Sequence, residues 1–256
     1  MQVPPSESDS PKSAEPIVDK LPVSIGGPTL RTAAIAGDTA AEFEVAMRYA
    51  QGRGIPPDQQ RAAHWLELAA QQGLAPAQFR LGGFYEKGIG VKKDLTQART
   101  LYLAAAAKGN AKAMHNLAVL HAEGINGPGD YRAAALWFHK AADHGIIDSQ
   151  YNLAILYERG SGEQQSYAEA YKWFAIAAHQ GDSDAAAKRD EIASRLDEET
   201  LQAVDLVVKN WRPEPQPDDA VNVKTPPGGW DAPERVAKVK VPLPTARPAT
   251  AESTVK

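Results

Sequence analysis

Residues 77–109 read AQFRLGGFYEKGIGVKKDLTQARTLYLAAAAKG. Leu81, Phe84 and Tyr85 fall at i, i+3 and i+4, which places them on one side of a helix running from about Ala75 to Lys87. Gly88 and Gly90 end it, because glycine takes the left-handed cap that other residues resist. Asp94 then stands where a second helix needs an N-cap acceptor. That helix carries Leu101–Tyr102 and Ala105–Ala106 and closes at Gly109. A single hairpin of this kind has an apolar face that it cannot bury alone.

Working outward, the pattern recurs every 36 residues. Gly37, Gly73, Gly109, Gly145 and Gly181 form one series; Gly52, Gly88, Gly124 and Gly160 form another. Tyr49, Tyr85, His121 and Tyr157 share a column, as do Ala62, Ala98, Ala134 and Ala170. Bulky pairs recur as Trp65–Leu66, Leu101–Tyr102, Trp137–Phe138 and Trp173–Phe174. The N-cap column reads Asp58, Asp94, Asp130 and Ser166. The units 38–73, 74–109, 110–145 and 146–181 contain no insertion, and stacking them buries one continuous core. The spacing predicts an all-α, right-handed α/α solenoid over 29–196, with a half repeat first and a capping helix last. A terminal helix over 197–211 is expected to pack back over the last repeat. Trp137 is expected on the buried side of its helix, where truncation to alanine would cost about 3–5 kcal/mol.

Of the 19 prolines, six lie in 1–28 and nine in 212–256. Proline removes a backbone donor and fixes φ, so both ends are expected to be disordered, Pro-rich tails. The run from Arg235 to Val241 alternates basic and apolar residues; it reads as part of the solvated tail, the alternative being a strand added to a partner's sheet edge. The chain has 28 basic and 32 acidic residues without a like-charge block, which argues against a nucleic-acid partner. Cysteine is absent, so disulfides and thiolate chemistry are excluded. The longest apolar run, Leu101 to Ala107, is far short of the roughly 20 residues of a membrane span. No membrane insertion by this segment is therefore expected. The opening residues, MQVPPSESDSPKSAEP, lack the basic and apolar regions of a signal peptide; an anchor or export signal would lie outside this sequence.

The motif A-x-x-x-L-G-x-x-Y-x-x-G-x-G-V-x-x-D-x-x-x-A from Ala77, completed by (W/L)-(Y/F)-x-x-A-A-x-x-G, resembles the Sel-one-like repeat (SLR). That family is a tetratricopeptide-like solenoid, and the resemblance implies a non-catalytic protein-interaction scaffold. A narrower likeness rests on Trp211-Arg-Pro-Glu-Pro and Pro227-Gly-Gly-Trp-Asp. These stretches resemble the end of the alphaproteobacterial polar localisation factors of the PodJ family. The likeness implies a periplasmic module of a membrane-anchored, cell-pole-organising protein, with a protein, peptide or cell-wall-associated partner. The alternatives are a cytoplasmic location and a periplasmic regulator that inhibits a sensor kinase or an enzyme by binding it.

In solenoids of this type the first helices line the concave face. Register then gives the ladder Phe43, Phe79, His115 and Tyr151, with Met47, Val119 and Ile155 in a second column and Glu86, Asn116 and Asn152 beside them. Aromatic residues on a rigid groove suit an extended peptide or a partner helix; the same rings also suit plain stacking between helices. The Gly-Ile-Gly-Val-Lys-Lys loop at 88–93 follows a helix rather than a strand and recurs in other repeats, so it reads as a cap and turn, not a phosphate loop. Histidine spacing matches no metal motif, no G-x-S-x-G occurs, and no catalytic residue, metal or cofactor is expected.

Overall fold

In the computed structural model, residues 21–125 and 127–232 are described. Among them the chain is all helical, with no strand. A 3₁₀ turn at Val23–Ile25 precedes α1 (Pro28–Ile35), α2 (Thr39–Gln51), α3 (Gln59–Gln71), α4 (Ala75–Lys87), α5 (Leu95–Ala106) and α6 (Ala111–Glu123). Then follow α7 (Tyr131–Asp143), α8 (Ile147–Arg159), α9 (Tyr167–His179), α10 (Ser183–Ala193), α11 (Glu198–Asn210) and the short α12 (Asp218–Val221). Each helix packs on the next from α1 to α10, which is the arrangement of an α/α solenoid.

Backbone chemistry explains the strict period. Within each hairpin, the amide of the N-cap residue donates to a carbonyl nine residues earlier. Asp58 bonds to Tyr49 and Asp94 to Tyr85, both at 2.9 Å; Asp130 bonds to His121 at 2.8 Å and Ser166 to Tyr157 at 3.0 Å. The N-cap side chain then turns forward: Asp58 accepts from the Arg61 amide, Asp130 from Ala133 and Ser166 from Glu169. Between hairpins the late glycines make a Schellman turn. The Gly73 amide donates to Ala70, and the Leu74 amide donates to Ala69 at 3.1 Å. The same pair of bonds recurs at Gly37, Gly109, Gly145 and Gly181.

One glycine pair also sets the spacing between hairpins. Gly90 has φ +66°, and a Cβ there would stand 2.0 Å from the Gln59 carbonyl oxygen at the start of α3. Gly162, two repeats later, would meet the Tyr131 carbonyl oxygen of α7 at 2.2 Å. Only glycine lets the loop of one repeat lie directly on the second helix of the repeat before it.

The core is built from alanine and large rings. Ala62, Ala98, Ala134 and Ala170 are fully buried, as are Trp65, Tyr102 and Phe174, with Trp173 nearly so. Helix α11 packs on α9 through Val208, Leu201 and Val204, and Asp205 accepts a 2.8 Å hydrogen bond from the Tyr171 hydroxyl.

The structure departs from the sequence expectation in three places. Trp137 is only half-buried, with the Lys140 ammonium 4.4 Å from its ring centroid; its neighbour Phe138 takes the buried position. Residues 21–28, expected to be disordered, hold Leu21 and Ile25 in the core, where they cover the open end of α2. Residues 212–232, also expected to be disordered, cross the solenoid and end with Trp230 buried in the core of the first repeat. Proline denies this segment a regular ladder, yet it also reduces the entropy lost on docking. The expected disorder of 1–20 and 233–256, and the alternating run at 235–241, lie outside the described residues.

The difference between the two tryptophans can be measured. Trp173→Ala, which empties a buried site, is expected to cost about 3–5 kcal/mol in chemical denaturation. Trp137→Ala is expected to cost about 1 kcal/mol. Equal losses would contradict the difference in burial.

Candidate functional site

The face of the first helices, α2, α4, α6 and α8, carries the aromatic ladder. Its rings do not stand alone. Phe79 lies 6.0 Å from Tyr102, His115 lies 5.8 Å from Phe138 and Tyr151 lies 5.4 Å from Phe174, centroid to centroid. Each pair is 23 residues apart and joins the first helix of a hairpin to its second. The rings therefore pack inside their hairpins, while Phe43, Phe79, His115 and Tyr151 all stay half-buried.

The remaining sequence-picked residues fall into separate groups. Val119 and Ile155 pack against the core of the last two repeats, and Met47 is half-buried on α2. Glu86 accepts a hydrogen bond from the Tyr102 hydroxyl. Burial and the Glu86 carboxylate both push that phenol above its ordinary value, while Asn116 opposes the shift. His115, Tyr151 and Asn152 come together in a cavity of about 360 Å³ that Asp148, Asp182 and Asp184 complete. The His115 Nδ1 lies 2.7 Å from the Ser149 hydroxyl. Burial lowers the His115 pKa, and the carboxylates of Asp148 and Glu86 oppose that shift.

At the other end of the ladder, Phe43 and Phe79 face a second part of the same chain. A cavity of about 630 Å³ is lined by these two rings together with Arg80, Lys112, Val221 and Val223. The segment after α11 runs back from the last repeat toward the first. Its Glu214 amide donates to the Asp143 carbonyl at 2.8 Å, and its Gln216 side chain accepts from the Ala111 amide at 2.9 Å. Asn110, itself buried, donates to the Ala220 carbonyl at 2.6 Å. At the far end Asp231 forms a two-pronged ion pair with Arg48, at 2.7 and 3.0 Å. Arg48 also donates to the Ile25 carbonyl at 2.9 Å and to Glu44 at 2.7 Å. The guanidinium holds the Asp231 carboxyl below the usual carboxylate range. Its attachment is thus complete above the ordinary carboxylate pKa and lost as pH falls through the depressed value.

Sequence reading missed Arg48, Asn110, Gln216, Trp230 and Asp231 as parts of this surface. One signal was available. The column of Arg48 continues as Phe84, Leu120 and Leu156, so a cation replaces an apolar residue and is only 8% exposed. A buried guanidinium requires partners; Glu44 supplies one from the preceding turn of α2, while Asp231 has no signature within the repeat.

A family model for the Sel1 repeat matches residues 39–74, 75–110, 111–146 and 147–182, more than half the chain. The chain belongs to the Sel1 repeat family. Each matched unit opens on the first residue of α2, α4, α6 or α8. Sel1 repeat proteins generally act as scaffolds for protein–protein interaction, and the fold is typically non-catalytic. A Sel1 repeat protein from Oxalobacter formigenes is 34% identical with a TM-score of 0.58. The match covers 64% of this chain and 47% of that protein, so it spans about half of that protein's length. A protective antigen with an SLR fold, present in uropathogenic Escherichia coli strains, is 20% identical over 88% of this chain and 60% of its own, with a TM-score of 0.37. A Klebsiella pneumoniae Sel1 repeat protein is 18% identical over 66% and 99%, with a TM-score of 0.32. No curated protein matches the chain. Among the described residues of this Sel1 repeat chain, no helix is long and apolar enough to cross a membrane, and no His, Asp and Glu cluster has the geometry to hold a metal ion.

His115 gives this face a pH dependence. Its folded pKa lies below the unfolded value, so the unfolded chain binds the extra proton and acid destabilises the fold. Between pH about 7 and 5 the wild type is expected to lose stability relative to His115→Gln. Denaturation curves at both pH values check this; a constant difference between the two proteins would refute it.

Proposed function

We propose that this Sel1 repeat chain is a non-catalytic scaffold that holds a polypeptide partner on the face of α2, α4, α6 and α8. We propose further that it is the periplasmic module of a bacterial cell-pole localisation factor. The observation that carries the first reading is the cavity at His115, Tyr151 and Asn152. There, half-buried rings fixed by Phe138 and Phe174 stand beside an amide side chain that can bond a peptide backbone. Rings already immobilised in the free protein lose little entropy when a partner covers them. The cell-pole reading is supported by the flank, Trp211-Arg-Pro-Glu-Pro and Pro227-Gly-Gly-Trp-Asp, and by the interaction role general to Sel1 repeats.

Crosslinking and affinity capture from the native cell test the first reading. Asn152→Arg introduces bulk and charge at the cavity and is expected to reduce partner capture at least about tenfold, the equivalent of 1.4 kcal/mol. Leu136→Arg, at an exposed position on α7, is expected to leave capture unchanged. Equal capture by both variants would remove this face from partner binding. Deletion of the coding region tests the second reading and is expected to misplace polar structures. Altered signalling output with normal polar structures would instead favour an inhibitor of a sensor kinase.

A further inference from the structure

The segment from Pro213 to Asp231 crosses the same face that the scaffold reading assigns to partners. It touches the chain at the successive turns around Asp143 and Asn110–Ala111, and then at Arg48 in the last turn of α2. Between the last two points, Val221, Asn222 and Thr225 are largely exposed and leave a cavity over Phe43 and Phe79. The segment is therefore anchored at its ends and loosely seated in the middle. It carries four acidic side chains, Glu214, Asp218, Asp219 and Asp231, against one lysine, Lys224. The surface beneath it presents three cations, Arg48, Arg80 and Lys112, and one carboxylate, Glu44, which is paired with Arg48 and Arg53. The contacts to the Ala220 carbonyl and the Glu214 amide recognise backbone, so another sequence of the same shape can replace them.

We propose that Pro213–Asp231 is a built-in, displaceable strap. It closes a binding surface over Phe43 and Phe79 whose external ligand is an extended acidic polypeptide carrying an aromatic residue followed by a carboxylate. The latch is Trp230 with Asp231. Trp230 is 8% exposed and belongs to the apolar core of the first repeat, while Asp231 reaches Arg48 across 183 residues of chain. A ligand that supplies its own aromatic and carboxylate satisfies the buried guanidinium as the strap leaves, so the exchange never strands the charge. The strap acts as an intramolecular competitor and lowers the apparent affinity of the surface by the fraction of molecules in which it is closed. This inference rests on the scaffold reading for the identity of the face, yet its test needs no cellular partner.

The probe is a fluorescein-labelled synthetic peptide of residues 213–232, added to the full chain and followed by anisotropy. The double variant Trp230→Ala/Asp231→Asn is expected to bind it at least about tenfold more tightly than the wild type. Hydrogen exchange is expected to accelerate at the amides of 216–230 while the repeats keep their protection. Should loss of the Trp230 ring lower the stability of the repeats, Gln216→Ala/Asp231→Asn removes two anchors without emptying the core and reads the same two quantities. Unchanged exchange at 216–230 would overturn the proposal. So would a freely exchanging strap with no gain in peptide binding, which would make the segment a staple only. Neither outcome bears on capture at Asn152, which tests the scaffold reading separately.

Discussion

The structure depends on one backbone arrangement repeated five times: a left-handed glycine after each second helix, whose following amide bonds to an alanine carbonyl five residues back. This turn satisfies the carbonyls that a helix end leaves unpaired and fixes the direction in which the next helix departs. An inserted residue would break the bond and rotate every later hairpin. The turn fixes how each hairpin follows the last, and the fully buried alanines at 62, 98, 134 and 170 mark where the helices it positions approach one another. Helices held at a fixed, close distance leave no space for larger side chains at those points.

The regularity is broken on α2. Arg48 occupies a column otherwise filled by Phe84, Leu120 and Leu156. Asn110 shares its column with Asp38, Leu74, Ile146 and Asp182, and like the two aspartates it caps the helix that follows. Both side chains are nearly buried and bond on two sides: Arg48 to Glu44 of its own helix and to Asp231, Asn110 to the Ala113 amide of α6 and to the Ala220 carbonyl. In the Arg48 column, a repeat that needed only to stack would gain from an apolar residue. The docked segment after α11 supplies the guanidinium with a second carboxylate and the Asn110 amide with an acceptor.

The repeats were legible in the sequence because glycine, alanine and cap residues act through local backbone geometry, and local geometry repeats with the residues. Helix α4 begins and ends where its pattern predicts. Trp137 was not legible, because burial depends on what faces a position rather than on the position's column. Lys140 stacks on its ring, whereas Trp173 sits between His139 and Trp211, with centroids at 5.5 and 6.4 Å. The ordered 212–232 segment was hidden for a related reason. Proline content excludes a regular ladder, but order here comes from two tryptophans, one ion pair and single hydrogen bonds to distant turns, none of which has a local signature. The site residues shared that fate in part: the ladder was visible as a period, while its division between Phe43–Phe79 and His115–Tyr151 was not.

That division gives the face a polarity. Over α2 and α4, Arg48 and Arg80 meet an acidic strap; over α8 and α10, Asp148, Asp182 and Asp184 surround His115 and Tyr151. Charges of opposite sign at the two ends of one surface orient an extended chain laid along it, because the reversed orientation sets like charges against each other. The strap uses this field at the basic end only. It reaches the face from the edge formed by the turns at Asp143 and Asn110, so the cavity at His115, Tyr151 and Asn152 is lined without it. A partner that carries a basic stretch beside its acidic, aromatic one can therefore engage the acidic end first, while the strap is closed, and meet the basic end second. The conformational cost then falls on the second step, where the partner's own carboxylate replaces Asp231 on Arg48.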